Sequence, residues 1–447
     1  VTQPSRAARP TAAVIGAGVS GLTAAHVLSR THDVTLYESD ARLGGHAHTH
    51  DVDDHGRTLR IDSGFIVHNE RTYPHLLRLF AELGVQTQPT EMSMSISCAG
   101  CGLEYAGGRG LAAMFAQPRR VADPRFVRLL AEVPRFHRAA RRVLAGEPTS
   151  ETTTADAGHD AGAPGPDPTW GEFLTANRFS PYFVRHFAVP LVSCVWSCGD
   201  LDARSYPARH LFAFLEHHGM LTVTGSPQWR TVTGGSATYV ERLAARLPDV
   251  RRSSRVEAVT RHDDGVDVRS ADGSAATFDR AVVATHADQA LELLVDATPD
   301  EKRDLGAIRY SRNETWLHRD ASVLPRAPRA RASWNYRMQA CAAPAPEVLV
   351  SYWMDRLHGL GADGEGTATD DHVVTLNAAG HVDPSTVIAR MSYEHPVFTT
   401  DAVAAAARLR GAGGDRLAFA GAHLGWGFHE DGCRSGVEAA ASLGATW

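Results

Sequence analysis

With 447 residues, 43% of them hydrophobic, the chain is long enough to bury a large core and is expected to fold as two domains. A formal charge of −6 leaves no basic footprint for nucleic acid or an anionic membrane surface, and no apolar run reaches the roughly 18 residues of a spanning helix. The opening VTQPSRAARP carries Arg and Pro but no apolar stretch, which predicts a disordered tail rather than a secretion signal, and hence a cytoplasmic protein.

The first predicted element is a short buried strand over Ala12–Ile15. The chain must then turn tightly into a helix whose first amides face a pyrophosphate. Gly16 and Gly18 remove side chains where backbone and phosphate would touch, and Gly21 lets the helix lie close to the strand. A second strand, Val34–Tyr37, ends in Glu38, 17 positions after Gly21, where a carboxylate can accept from both ribose hydroxyls and would repel a 2′-phosphate. NADP is therefore disfavoured. A lone GxGxxG is common in structural loops; strand, helix and acid in register make this one a dinucleotide site. The RLGG that follows offers a second close backbone approach at Gly44 and Gly45, with Arg42 to balance pyrophosphate charge. That second approach suits FAD, which lies extended across such a domain.

Further along, His46, His48 and His50 alternate onto one face of an extended segment and, without carboxylate or cysteine partners nearby, read as a polar strand edge beside the cofactor. RIDSGFIVHN places Asp62 and Gly64 after another strand. Helical patterns cover 73–83 and 125–144. Cys98 and Cys101 form a CxxC with no second half at finger-like spacing, and Cys194 and Cys198 lie one helical turn apart; structural thiols are the expectation for all four, and no metal site is predicted. The segment 146–168 cannot build a core and is expected to be a mobile loop. The apolar runs 183–197 and 210–221 fit core helices or a lipid tunnel equally well.

Cofactor-type patterning returns at 225–295, as a turn into an amphipathic helix followed by hairpin strands and a buried strand, and again from about 411, where LAFAGAH gives a strand and turn and Ser435–Leu443 a terminal helix. The fold class expected is α/β: a discontinuous Rossmann-like, glutathione-reductase-like FAD-binding domain of residues 1–70, 225–299 and 406–447. Residues 71–224 and 300–405 would form an α+β substrate domain, with the substrate in the cleft between. GGRG at 107–110 and GAGG at 411–414 lack the strand–turn–helix setting of a second nucleotide fold.

The phrases RLGGHAHT, DSGFIVHNERTYP, PQWRTVTGGSATYV, VVATHADQAL, RNETWLHRD and GWGFHEDGCRSGVEAA resemble the flavin-dependent amine oxidase, phytoene desaturase and protoporphyrinogen oxidase superfamily. Within it the chain looks most like a bacterial branch of FAD-dependent oxidoreductases associated with cyclopropane-fatty-acyl synthases. The resemblance implies non-covalent FAD, since Cys433 does not match the attachment cysteine of covalent relatives. Gly16, Gly18, Ser20, Gly21 and Glu38 would hold the adenosine diphosphate, Arg42, Gly44 and Gly45 the pyrophosphate, and Val256 the adenine through its backbone. Asp62, Gly64, Phe65, Thr285, Gly421 and the turn His429, Glu430, Asp431, Gly432 would lie near the flavin, a helix from Gly432 aiming its dipole at the N1–C2 edge.

Three departures stand out. The second arginine of the amine-oxidase motif is His46, and the acid after the C-terminal glycine is Ala422, leaving Glu430 or Asp431 for a ribityl hydroxyl. The only lysine, Lys302, sits in the polar stretch PDEKRD, whereas many amine oxidases set a lysine against the flavin, where this chain reads YSRNETWLH. Catalytic candidates are His429 and Glu430, with His68, Asn313 and Tyr352 behind them. The implied substrate is a hydrophobic, unsaturated or cyclopropane-type fatty-acyl chain. Alternatives are a redox-neutral double-bond isomerase, an amine oxidase, or a flavin-binding partner of a lipid-modifying methyltransferase; a separate reductase is a further candidate partner.

Overall fold

In the computed structural model, which describes residues 9–146, 167–222, 225–341, 347–360 and 370–447, strand Thr11–Ile15 lies at the centre of a five-stranded parallel sheet. The order is Asp249–Arg251, Asp33–Tyr37, Thr11–Ile15, Arg280–Val283, Leu417–Phe419. Ala13 and Val14 are fully buried and pair on both sides, Val14 opposite Leu36 and Val282, as expected of a strand covered on both faces. The chain leaves the central strand to one side first and returns to the other more than 240 residues later, so the C-terminal end of Thr11–Ile15 is a topological switch point, where such sheets bind ligands. An antiparallel meander of Val256–Arg261, Val266–Ser270 and Ala275–Phe278 precedes the fourth strand of that order.

Two helices close one face. Val19–Leu28 follows the glycine turn, and the terminal helix packs across it through Gly432 and Gly436: a Cβ on Gly436 would lie 2.3 Å from the Ser20 carbonyl, and one on Gly432 2.6 Å from Val19 Cγ1. The terminal helix runs His429–Ser442, six residues earlier than expected at its start. The reason is local: the Asp431 carboxylate accepts from the Phe428 N–H, and the two glycines serve helix–helix contact rather than interrupting the helix.

A seven-stranded sheet forms the second layer, ordered Val387–Val397, Arg309–His318, Val373–Leu376, Val350–Trp353, Trp334–Met338, Met94–Cys98, Leu103–Gly107. Every pairing is antiparallel except Trp334–Met338 with Met94–Cys98. Beside it, helices pack on an aromatic core of Phe136, Trp170, Phe173, Phe183 and Phe212. The longest, Pro124–Leu144, starts where expected because Asp123 accepts from the Arg125 N–H and Pro124 occupies the first turn. The apolar run 183–197 is not one α-helix: a π-helical turn at Val184–Ala188 precedes the helix Val189–Trp196. The expected loop at 146–168 and tail at 1–10 fall largely outside the described residues. Among those residues no helix is long and apolar enough to cross a membrane.

Candidate functional site

At the switch point opens a cavity of about 1160 Å³, larger than the roughly 300–1,000 Å³ of ordinary small-molecule sites and so roomy enough for an extended cofactor and a substrate. Gly16, Gly18, Ser20, Glu38, Gly45, His46, Gly64, Phe65, Val256, Thr285, Gly421 and His429 all line it. Gly16 has φ +96°, and Gly45 at φ +56° rests against Gly18, where a Cβ would come 3.2 Å from its Cα. Gly18 is the N-cap of Val19–Leu28 and brings no side chain to the first-turn amides. Glu38 is fixed by the N–H groups of Ala17 (2.8 Å) and Asp40 (2.9 Å). A helix N-terminus lining the cavity beside a fixed carboxylate is the donor and acceptor set that a dinucleotide's phosphate and ribose require, and the residues present fit FAD.

Seven expected ligands do not line this cavity. Gly21 is packing: its Cβ would fall 1.9 Å from the Gly16 carbonyl. Gly44 faces the Ala47 carbonyl and Val240. Arg42 spends its guanidinium on the carbonyls of Leu43, Gly45 and Ala47, so it braces the RLGG loop from behind. Asp62 is fully buried and accepts from Thr49 Oγ1 and from the Ser236 N–H and Oγ, tying the hairpin Thr49–Asp62 to the helix Ala237–Ala244. Asp431, which burial pushes up to about 6, is held by the Phe428 N–H and Arg434, and Gly432 meets Val19.

Glu430 does not line the cavity. Its carboxylate accepts from the N–H groups of His75 and Leu76, both at 3.0 Å, and contacts His75 Nδ1 at 2.7 Å, so it caps the helix Pro74–Leu83. Glu430→Ala should therefore lower stability by ~1–2 kcal/mol, the usual cost of a lost N-terminal cap, and leave kcat unchanged. Denaturant melts alongside turnover measurements separate this from a catalytic loss.

His429 does line the cavity, with its ring stacked on Phe65 at 3.7 Å between centroids. Burial, with His68 adding to it, depresses its pKa to about 3. Tyr239 Oη lies 2.6 Å from its Nε2, and burial keeps that phenol protonated, so the two share one hydrogen bond between neutral groups. His429 thereby has one ring nitrogen already engaged. Of the outer candidates, Tyr352 lines the cavity; His68 is buried behind Phe65, and Asn313 is bonded to the Ser197 carbonyl and His395.

Several lining residues are not among those singled out from the sequence. His286, His395 and His423 join His46 in the cavity lining, and burial holds all four below the usual imidazole range, His395 to about 4 and His423 to about 3. Glu394 Oε2 lies 3.3 Å from His286 Nδ1. The alternation Tyr393, His395 along Val387–Val397 was the sole hint, and only one of three histidines follows it. Beyond them the wall is apolar, built by Met92, Trp196, Phe214, Met220, Trp229 and Phe428. Lys302 is exposed on the helix Pro299–Gly306 and does not reach the cavity. Cys433 is buried at the helix seam, 3.5 Å from Thr23 Oγ1, and does not line the cavity either.

A parallel nucleotide sheet with this cavity at its switch point defines the class of two-layer FAD-binding flavoproteins. The sequence profile of the flavin containing amine oxidoreductases matches residues 19–443, and the chain belongs to that family, an FAD-dependent oxidoreductase. Solved structures share the fold. Cyclohexylamine oxidase from Brevibacterium oxydans IH-35A superposes with a TM-score of 0.67 at 15% identity, covering 97% of this chain and 98% of that one. A putrescine oxidase mutant gives 0.68 at 14%, covering 98% and 99%. A fatty acid isomerase from P. acnes that produces CLA gives 0.64 at 18%, covering 97% and 98%. No curated protein matches by sequence.

Proposed function

We propose that this flavoprotein acts on carbon–carbon or carbon–hydrogen bonds of an apolar, unsaturated fatty-acyl or lipid-like substrate. The carrying observation is the flavin-side wall: Met92, Trp196, Phe214, Met220, Trp229 and Phe428 exclude water and fit an alkyl chain, and the family's amine-site lysine has no counterpart, since the lone Lys302 is on the surface. When bound, FAD supplies reversible hydride and single-electron transfer. The first-turn amides after Gly18 and the carboxylate of Glu38 would anchor its adenosine diphosphate end, Val256 the adenine and Thr285 the flavin side. His429, neutral at its depressed pKa, would offer a hydrogen bond without adding charge.

A second reading, redox-neutral double-bond isomerisation, is favoured by the neutral histidines. His46, His395, His423 and His429 are neutral near pH 7 and so offer no imidazolium acid, and hydride removal and return at a different carbon needs none. The fatty acid isomerase among the structural neighbours adds to it. Anaerobic photometry with unsaturated fatty acids separates the readings: lasting bleaching of the flavin is expected for oxidation, and shifted double bonds without net bleaching for isomerisation. Peroxide released from simple amines would overturn both, and silence towards every lipid would leave the partner-subunit role.

A further inference from the structure

The CxxC expected to hold packing thiols is joined in space by two residues that no spacing rule connects to it. Cys98 ends the strand Met94–Cys98, Cys101 lies in the turn to Leu103–Gly107, Cys341 follows Trp334–Met338, and His186 sits in the π-helical turn Val184–Ala188. Their ligand atoms all lie within 4.8 Å of one another. Cys98 Sγ is 3.4 Å from Cys341 Sγ, and Cys101 Sγ is 3.6 Å from His186 Nε2. A tetrahedral zinc with Zn–S near 2.3 Å and Zn–N near 2.0–2.1 Å has edges of ~3.8 Å between sulfurs and ~3.6 Å between sulfur and nitrogen. We propose that Cys98, Cys101, His186 and Cys341 form a structural Cys3His zinc site.

Buried thiols often pack as small hydrophobes. Such packing does not account for the histidine. His186 is 1% exposed, its Nδ1 is 3.1 Å from the Tyr182 carbonyl, and a carbonyl can only accept, so the ring proton is on Nδ1 and the Nε2 lone pair points at Cys101. Fixing the far nitrogen on a carbonyl is how proteins orient a metal-binding imidazole. The ring is further held by stacking on Tyr182 at 4.1 Å, and its backbone carbonyl accepts from Tyr105 Oη at 2.7 Å.

The turn is shaped for close approach to a shared centre. A Cβ on Gly100 would lie 2.9 Å from the Cys341 nitrogen and 3.3 Å from its sulfur, and Gly102 takes φ +64° immediately after Cys101. The Cys101 N–H is directed at the Cys98 sulfur and the Leu103 N–H at the Cys101 sulfur, donors that offset the charge of metal-bound thiolates. Arg120 adds a positive group at the Cys101 carbonyl, 2.8 Å away. Three sulfurs, one imidazole and no carboxylate select a borderline-soft ion over calcium or magnesium, and a closed set of four protein ligands is the structural, not the catalytic, form. Cys98 is 2% exposed while Cys101 and Cys341 are partly exposed, which gives an ion a way in.

Zinc here would tie the strand ends of the seven-stranded sheet to the π-helical turn that leads into Val189–Trp196, whose last residues line the cavity. The site is thus a brace for the substrate-side wall. Metal analysis of the purified flavoprotein should find one zinc per chain, lost in Cys101→Ser and His186→Ala while flavin stays bound. Should those variants fail to fold, wild-type protein grown with cobalt in place of zinc should show tetrahedral d–d bands at wavelengths beyond oxidised flavin. Metal-free protein with all six thiols titrating, a mass two hydrogens lighter from a Cys98–Cys341 disulfide, or iron in zinc's place would each overturn the assignment.

Discussion

Gly18→Val should yield a folded, colourless protein. A Cβ at Gly18 meets no protein atom within 4 Å, and the backbone at φ −69° and ψ 177° is open to any residue. The fold therefore loses only ~1 kcal/mol, from a poorer N-cap. The added isopropyl group projects into the cavity at the helix N-terminus, where the cofactor's pyrophosphate would have to touch backbone. FAD affinity should fall at least ~100-fold, equivalent to ~2.7 kcal/mol, measured by flavin fluorescence on reconstitution. Gly21→Ala is the contrasting variant: its Cβ would lie 1.9 Å from the Gly16 carbonyl, so the helix must move off the sheet, at ~1–3 kcal/mol or more. It should lose stability and flavin together. A Gly18→Val protein that purifies with wild-type flavin content would sink the placement of the cofactor.

Acid should unfold the protein steeply between pH 6.5 and 4. His423 and His429 are buried and His395 partly so; they keep pKa values of about 3, 3 and 4 in the folded state, against 6.5 when free, with burial the leading cause in each. A depressed folded-state pKa means that the unfolded chain binds the extra protons, so stability is complete above 6.5 and is lost as the pH falls toward the folded values. From pH 7 to 5 each histidine removes ~2 kcal/mol, ~6 kcal/mol together. Asp431 works the other way, since burial raises its pKa to about 6, and it offsets ~1 kcal/mol over the same range. The net loss, ~4–5 kcal/mol, rivals the whole stability of an ordinary domain. Thermal melts against pH, with proton uptake on unfolding followed by calorimetry, measure it. A melting temperature flat from pH 7 to 5 would show that these imidazoles titrate freely.

What the sequence disclosed follows from how locally each feature is encoded. The strand, glycine turn, helix and Glu38 lie within 28 consecutive residues, and each constraint on them is steric or electrostatic at short range, so their arrangement could be read directly. The same was true of Pro124–Leu144, where cap and apolar period agree. Asp62, Arg42 and Glu430 show the limit of such reading. An acid beside a glycine or an arginine before two glycines serves equally as ligand or brace, and only tertiary partners decide: Ser236 claims Asp62, three carbonyls claim Arg42, and the amides of Pro74–Leu83 claim Glu430. The convergence of His286, His395 and His423 on the cavity and the Cys98, Cys101, His186, Cys341 cluster were illegible for a simpler reason. Their members come from distant segments, Cys98 and Cys341 being 243 positions apart, and nothing in the residues flanking Cys341 or His186 points to the others.

The position of Leu417–Phe419 at the edge of the nucleotide sheet, with His429–Ser442 laid over Val19–Leu28, has a consequence for biosynthesis. A ribosome makes the glycine turn some 400 residues before the strand and helix that complete its surroundings. The nascent chain must hold an apolar strand and an unfilled phosphate cradle while those residues are made, a long-range closure of the kind that folds slowly and exposes aggregation-prone surface. Cofactor capture therefore waits on the segment Leu417–Ser442, and yield on overexpression should depend on chaperone supply and on free FAD when that segment docks.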